Sequence, residues 1–348
     1  MISADDLREP LMGVRKTGLL ASFLFVISVL AACEPNPRQL AFSGAALGTS
    51  YHIKVVEAGS PAMDAGLAEL VGKLLDDLDH KLSTYKPDSE LNRFNRHPVG
   101  QPFAASDDFY QVLEVADRIY RLSGGAFDPT VRPLVDLWGF GPVDTGDRVP
   151  AESEITALLG EIGFDRIELA AANQVIRRAP VTLDLSAVAK GFIVDRLAAE
   201  LRAQGVDDYM VEVGGEIRAG GRRADGGLWR IAVEVPAAGG GVERVLELSD
   251  IGVATSGDYR NYFERDGERY SHTIDPRSGR PIRHRLASVT VLAPTAAEAD
   301  ALATALMVMG PEHGADFAAA NELAALFLVK QGDGFAELGS AAMGAYLR

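Results

Sequence analysis

The chain has 348 residues, 47% of them hydrophobic, which is enough for a sizeable core in one large domain or two modest ones. Its 34 basic and 49 acidic side chains give a formal net charge of −15. This charge argues against nonspecific nucleic-acid binding, which needs a basic surface. An acidic protein that binds a polyanionic nucleotide would need local cations or a metal ion.

The N-terminal segment has the features of a bacterial signal peptide. Basic residues precede a short apolar run over 19–30, and small residues then lead to Cys33, the one cysteine of the chain. The position of Cys33 resembles a lipobox, in which the cysteine is lipidated and becomes the mature N-terminus. The alternatives are an ordinary secretory signal or a short anchor. We expect a signal peptide over 1–32 and a lipidated tether over 33–41.

The remainder, residues 42–348, mixes strands, helices and hairpins irregularly. This order predicts an α+β fold rather than a doubly wound α/β fold. Periodicity and turn residues give the boundaries of the elements. The predicted elements in chain order are a strand pair over 41–58, helices over 63–82, 106–123 and 152–159, a hairpin over 167–177, a helix that runs to Leu201, a strand over 209–213, a hairpin over 229–248, a strand over 286–292, a helix over 296–309 and a final strand over 323–329.

One stretch combines several features of a nucleotide site. An apolar run over 179–183 ends at Asp184, and small residues and Lys190 precede a helical pattern. A carboxylate, a closely approaching backbone and a cation at a strand-to-helix junction suggest a phosphate or nucleotide site. The alternative is that Asp184 or Ser186 caps the helix and that Lys190 is solvated. The sequence of this stretch alone does not favour either interpretation over the other.

A second candidate lies on the predicted helix over 296–309. Asp300 and Thr304 are four residues apart and therefore share one helix face. Two oxygen ligands one turn apart suit a hard cation such as Mg²⁺, which commonly binds one or two carboxylates together with substrate phosphates. The alternative is an acidic residue favoured by the helix dipole and a threonine bonded to the backbone.

Other catalytic motifs are missing from the sequence. It contains no HExxH, CxxC or Walker motif, which excludes the usual zinc peptidases, thiol oxidoreductases and P-loop NTPases. Ser256 does not lie in a G-x-S-x-G elbow, so a serine hydrolase is not expected. His272 has a side chain that could act as an acid or a base near neutral pH, although an isolated histidine is more often structural or exposed.

Several blocks of residues occur in a fixed order along the chain: 82–85 with 89–95, 125–131 with 137–141, 184–195, 214–216, 255–260, 272–276 with Gly279, and 300–304. Taken together in this order, they resemble the ApbE family of FAD:protein FMN transferases over residues 42–345. A lipobox also fits the family, which includes many periplasmic lipoproteins. The resemblance implies mixed sheets with flanking helices, similar to a T-fold, in which two packed α/β subdomains form a single catalytic unit.

The resemblance also implies an activity and a set of site residues. Such enzymes cleave the pyrophosphate of FAD with Mg²⁺, transfer the FMN half to a Thr or Ser hydroxyl of an acceptor protein and release AMP. His272 would assist as an acid or base at the acceptor hydroxyl, and Mg²⁺ would be held by the Ala187 carbonyl, Asp300 and Thr304. The residues expected to contact FAD are Leu47, Tyr85, Ala126, Phe127, Asp128, Asp184, Lys190 and Ile274; Leu47 stands where a methionine is common in the family.

Two other functions stay open beside protein flavinylation. One is an Mg²⁺-dependent FAD pyrophosphatase that releases FMN and AMP to water, and the other is a flavin-binding lipoprotein without catalysis. The family further implies acceptor subunits such as those of Na⁺-translocating NADH:quinone reductases or Rnf-type complexes. We expect a lipid-anchored protein on the periplasmic side of the inner membrane, with sorting to the outer membrane still open.

Overall fold

The structure is a computed structural model. It describes residues 38–57, 61–141, 148–234, 242–258, 262–332 and 334–347. The predicted signal peptide, Cys33 and most of the tether lie outside the described residues. Residues 38–348 form one compact unit. Within the described ranges, every helix is too short or too polar to cross a membrane.

Helices and strands alternate irregularly along this unit, as predicted. The helices are α1 (Pro61–Leu82), α2 (Glu90–Arg96), α3 (Asp107–Leu122), α4 (Arg132–Leu137), α5 (Glu152–Leu159), α6 (Ala189–Ala203) and α7 (Ala296–Ala320). The strands are β1 (Arg38–Ala46), β2 (Thr49–Glu57), β3 (Pro102–Ala104), β4 (Ile167–Ala170), β5 (Gln174–Arg177), β6 (Tyr209–Val213), β7 (Glu216–Gly220), β8 (Trp229–Glu234), β9 (Val242–Leu248), β10 (Ile251–Gly257), β11 (Tyr262–Arg265), β12 (Glu268–Ser271), β13 (Ile274–Asp275), β14 (Arg280–Pro281), β15 (Leu286–Ala293), β16 (Ala324–Gln331) and β17 (Gly334–Gly339).

An eight-stranded sheet in the order β1-β2-β6-β7-β10-β15-β16-β17 forms the centre of the fold. All neighbouring strands in it are antiparallel. Helices α6 and α7 pack against its central strands. The alternating apolar residues of the β8–β9 hairpin form a separate buried cluster with residues of β10, β15 and β16. Central strand β15 is therefore buried along its whole length. The α+β prediction is confirmed.

The apolar run before Asp184 is not a strand, which corrects the predicted strand-to-helix junction. Leu183 is buried, but its backbone bonds to a side chain instead of a sheet neighbour: its N–H donates to Asn95 Oδ1 at 2.8 Å and its carbonyl accepts from Asn95 Nδ2 at 2.9 Å. The Asp184 N–H donates to the Pro129 carbonyl at 2.7 Å. Apolar periodicity predicts burial of such a segment but does not reveal which groups satisfy its backbone.

Helix α7 continues well beyond the predicted end near Met309, through a kink at Gly310 with φ 80°. Pro311 has no N–H, so it cannot donate to the Met307 carbonyl one turn earlier. His284 Nε2 donates to that carbonyl instead, at 2.8 Å. The predicted final strand is also followed by another strand, β17, at the sheet edge.

Gly252 allows α7 to begin directly against the central sheet. A Cβ at this position would lie 2.3 Å from the Ala296 nitrogen, which a well-packed core cannot accommodate without a shift of the helix. We therefore expect Gly252→Ala to lower the free energy of unfolding by about 1–3 kcal/mol, the usual cost of overpacking.

Gly72→Ala is the matched control for this substitution. Gly72 is an exposed residue in the middle of α1, and a Cβ there would meet no atom within 4 Å. This substitution is expected to raise the free energy of unfolding by roughly 0.5–1 kcal/mol, because glycine is a poor helix former. Urea unfolding of both variants tests the pair, and equal stabilities would contradict the close contact at Gly252.

Candidate active site

A cavity of about 480 Å³ opens beside the N-terminal ends of α6 and α7. Segments far apart in the sequence converge on it: the loop after α1, the region around α4, the turn before α6, the β6–β7 turn, the end of β10, the loop after β12 and one side of α7. Among the predicted site residues, those that line the cavity are Tyr85, Ala126, Phe127, Asp128, Asp184, Ala187, Lys190, His272, Ile274, Asp300 and Thr304.

Leu47 is the exception among the predicted FAD contacts, because it is not one of the residues that line this cavity. It occupies the two-residue turn between β1 and β2 with φ 56°, next to Gly48 with φ 73°. Its half-buried side chain packs against the main core. A contact between Leu47 and FAD stays a prediction.

The turn before α6 does not simply cap that helix. The N-cap residue is Val188, and neither Asp184 nor Ser186 provides a side-chain cap. Asp184 Oδ1 instead accepts hydrogen bonds from the Ser186 N–H at 2.8 Å and from Thr84 Oγ1 at 3.4 Å. Asp184 thereby ties the loop after α1 to the turn that carries Ala187.

Lys190 is not a solvated lysine. Its Nζ lies 3.2 Å from Glu216 Oε1, and 33% of its side-chain surface remains exposed. Burial acts to lower the pKa of Lys190, but the neighbouring carboxylates of Asp300 and Glu216 outweigh it and hold the pKa above its ordinary value. The ammonium group is therefore a permanent positive charge in the wall of the cavity.

Two buried carboxylates share this one ammonium group. Asp300 and Glu216 are each 4% exposed. Burial raises the pKa of Asp300, and burial together with the charge of Asp300 raises the pKa of Glu216 to about 8. Glu216 Oε2 is buried and accepts no hydrogen bond from the described residues. When both carboxyl groups and Lys190 are ionised, the cluster carries a net charge of −1. This excess negative charge favours the binding of a further cation.

The groups around Asp300 fit a hard divalent cation. Asp300 Oδ2 accepts from the Gly191 N–H at 3.1 Å, Thr304 Oγ1 lies 3.3 Å from Ser256 Oγ, and Ala187 lines the same cavity. No group of three or more His, Cys, Asp or Glu side chains suited to a metal occurs among the described residues. A carboxylate and a hydroxyl are present, and the Ala187 carbonyl would be the third donor of a set that Mg²⁺ commonly completes with water and substrate phosphates.

The other wall of the cavity offers aromatic and polar contacts. Tyr85 lines the cavity and is 78% exposed, whereas Phe127 also lines it but is 2% exposed and belongs to the main core. Asp128 Oδ1 accepts from the Thr130 N–H at 2.8 Å and from Thr130 Oγ1 at 2.6 Å. Burial raises the pKa of Asp128, and these hydrogen bonds oppose that rise.

His272 is half-buried at the cavity wall. The ring of Phe140 lies edge-on to its imidazole, with 6.4 Å between the ring centroids.

Several residues of this cavity have no role predicted from the sequence. Glu216 belongs to a block that carries the family resemblance, but only the structure shows that it is buried beside Lys190. Ser256 belongs to another such block, and the structure places its hydroxyl beside that of Thr304. A glutamate directly after two glycines between apolar strands is the one sequence signal that points to Glu216. Tyr259, Arg260 and Asn261, the first two of which belong to another resembling block, lie outside the described residues.

Substitutions at Lys190 and Glu216 test the shared cation. Lys190→Met leaves two buried carboxylates without a buried cation, so it is expected to cost roughly 2–4 kcal/mol in urea unfolding without divalent metal. Glu216→Gln leaves Lys190 balanced by Asp300 and is expected to change stability by less than about 1 kcal/mol. Equal losses in the two variants would contradict the arrangement.

Comparisons with known proteins agree with the resemblance read from the sequence. Residues 47–327 match the model of the ApbE family. The chain is 45% identical to the FAD:protein FMN transferase of Vibrio cholerae, over 94% of this chain and 97% of that protein. It is 42% identical to the FAD:protein FMN transferase of Haemophilus influenzae, over 90% of this chain and 93% of that protein.

Solved structures are similar over most of their length. The flavin transferase ApbE from Vibrio cholerae superposes with a TM-score of 0.82 at 43% identity, over 89% of this chain and 100% of that one. The apo form of the Pseudomonas stutzeri flavinyl transferase ApbE gives a TM-score of 0.82 at 42% identity, over 89% and 97% of the two chains. The chain belongs to the ApbE family.

Proposed function

We propose that this protein is an FAD:protein FMN transferase, which cleaves the pyrophosphate of FAD and transfers the FMN half to a Ser or Thr hydroxyl of an acceptor protein. The observation that carries the proposal is the hydrogen bond of 3.1 Å between the Gly191 N–H and Asp300 Oδ2, residues 109 positions apart. This contact joins the first turn of α6, which carries Lys190, to the candidate metal-binding face of α7, and both line one cavity. A volume of about 480 Å³ is within the usual range for small-molecule sites.

The residues of the cavity supply what phosphoryl transfer requires. Such reactions depend mainly on alignment and charge neutralisation, with little covalent chemistry left to the protein. Lys190, held by Glu216, provides a fixed positive charge for the pyrophosphate. Ala187, Asp300 and Thr304 would hold Mg²⁺, which when bound neutralises phosphate oxygens and helps to orient the attack.

The bond changes balance without any further reactant. The acceptor hydroxyl oxygen forms a bond to the FMN phosphorus as the bond from that phosphorus to the AMP oxygen breaks, and AMP leaves. His272, at the cavity wall, accepts the proton from the hydroxyl. Tyr85 covers one ring of FAD at the cavity mouth, where its exposed aromatic face is available for stacking.

Asp300→Ala tests the activity and the metal site together. The variant is incubated with FAD, Mg²⁺ and a candidate acceptor, such as a flavin-carrying subunit of a Na⁺-translocating NADH:quinone reductase or an Rnf-type complex. We expect wild type to produce fluorescent flavin on the acceptor that survives denaturation, and Asp300→Ala to reduce its formation by about 100-fold. Asp316→Ala, which removes an exposed carboxylate near the other end of α7, is the control and is expected to retain activity.

Two results would contradict the proposal. Release of free FMN and AMP in the presence of competent acceptors, without labelled acceptor, would identify an FAD pyrophosphatase. FAD binding with no turnover of any kind would identify a flavin-binding protein. Full activity of Asp300→Ala would contradict the metal assignment alone.

We further propose that Cys33 anchors the protein by lipid to the periplasmic face of the inner membrane, which the lipobox-like sequence supports. Cys33→Ser is expected to release the protein from the membrane fraction. Retention of Cys33→Ser in the membrane would show that the apolar segment is an uncleaved anchor.

A further inference from the structure

Helices α6 and α7 cap each other's N-terminal ends. The carboxylate of Asp195, on α6, accepts hydrogen bonds from the Ala296 N–H and the Ala297 N–H of α7, both at 2.9 Å. In return, the carboxylate of Asp300, on α7, accepts from the Gly191 N–H of α6 at 3.1 Å. The first four N–H groups of any helix lack a partner within that helix. Each helix therefore satisfies donors that the other leaves open.

These bonds form a reciprocal clasp with two points of contact, one helical turn apart on each helix. Gly191 and Asp195 are four residues apart on α6, and Ala296 and Asp300 are four residues apart on α7. The clasp also requires close backbone contact, since a Cβ at Gly191 would lie 2.3 Å from the Ala296 carbonyl oxygen. Arg218, which donates to the Pro294 carbonyl and lies 3.9 Å from Asp195, balances the charge of the carboxylate.

The clasp fixes the distance between the two halves of the candidate metal site. Ala187 lies in the turn that leads into α6, whereas Asp300 and Thr304 lie about one and two turns into α7. Because a helix is stiff over this length, the position of its first turn determines where Asp300 and Thr304 lie relative to Ala187. The bond from Gly191 also occupies Oδ2 of Asp300 and orients that carboxylate in the cavity.

We propose that Asp195 is a positioning residue for flavin transfer, which holds Asp300 and Thr304 at the correct distance from the Ala187 turn by capping α7. Asp195 is not among the residues that line the cavity. This inference rests on the proposed function, because it assigns Asp195 a role through the Mg²⁺ ligands of that reaction.

Asp195→Asn removes one acceptor and places an amide donor against a backbone N–H. The full-length protein in detergent is compared with wild type in two measurements: the rate of FMN transfer as a function of Mg²⁺ concentration, and the rise in Tm that Mg²⁺ alone produces without FAD. We expect the apparent Mg²⁺ constant to increase about tenfold, as on loss of an outer-shell partner of a metal site, with kcat at saturating Mg²⁺ close to wild type. The rise in Tm should require correspondingly more Mg²⁺.

Thr295→Ala separates this role from general stabilisation of α7. Thr295 Oγ1 accepts from the Glu298 N–H at 3.2 Å, so its loss weakens the N-cap of the same helix without breaking the link to α6. This control is expected to lower Tm but to keep the Mg²⁺ dependence of wild type. If Asp195→Asn does not fold, Asp195→Glu, which keeps the charge and displaces the carboxylate by one methylene, replaces it and should show a smaller shift of the same sign.

An unchanged Mg²⁺ constant in the folded Asp195 variant, or an equal shift in Thr295→Ala, would overturn the inference. Failure of the proposed function gives a different pattern. In that case wild type transfers no FMN, but its Tm still rises with Mg²⁺, and the comparison of Tm shifts decides the role of Asp195. A wild-type protein that responds to Mg²⁺ in neither measurement would overturn both.

Discussion

The candidate site depends on two buried carboxylates that share one ammonium group. Asp300 and Glu216 are almost fully buried, and Lys190 is the cation beside them. Burying such a cluster costs free energy, because removing the two carboxylates and the ammonium group from water can cost more than their mutual attraction contributes. A chain folded only for stability would gain from apolar residues at these positions. In the proposed reaction, a divalent cation and the pyrophosphate of FAD would enter together, and the charge of each would offset the charge of the other and of the cluster.

The fold places this cluster by close contact between backbones. The antiparallel sheet supports α6 and α7 side by side, and the missing side chains of Gly191 and Gly252 let both α6 and β10 approach the first residue of α7. The N-terminal ends of both helices then meet beside the cavity, where the carboxylates of Asp195 and Asp300 accept hydrogen bonds from their N–H groups. Precision at the site therefore comes from rigid helices joined at their ends rather than from flexible loops.

Much of this architecture could be predicted from the sequence, because its signals are local. Periodicity and caps gave α1, α3 and α5 nearly to the residue, and the spacing of Asp300 and Thr304 gave a shared helix face. Contacts between distant segments could not be predicted in this way. Three features depend on which elements the tertiary fold brings together: the burial of Glu216, the bonds of Asp195 to Ala296 and Ala297, and the pairing of the Leu183 backbone with the Asn95 side chain instead of a strand. The resemblance assigns Leu47 to FAD by its position in the sequence, whereas in the structure Leu47 occupies a tight turn, packs against the main core and is not among the residues that line the cavity.

The most direct test of this account is the position of a divalent ion in crystals grown with Mn²⁺ and FAD, located by its anomalous scattering. We predict one strong peak, bonded to the Asp300 carboxylate, Thr304 Oγ1 and the Ala187 carbonyl, with pyrophosphate oxygens of FAD completing the coordination of the ion. A peak elsewhere in the chain, or FAD bound in this cavity with its pyrophosphate remote from Asp300, would contradict it.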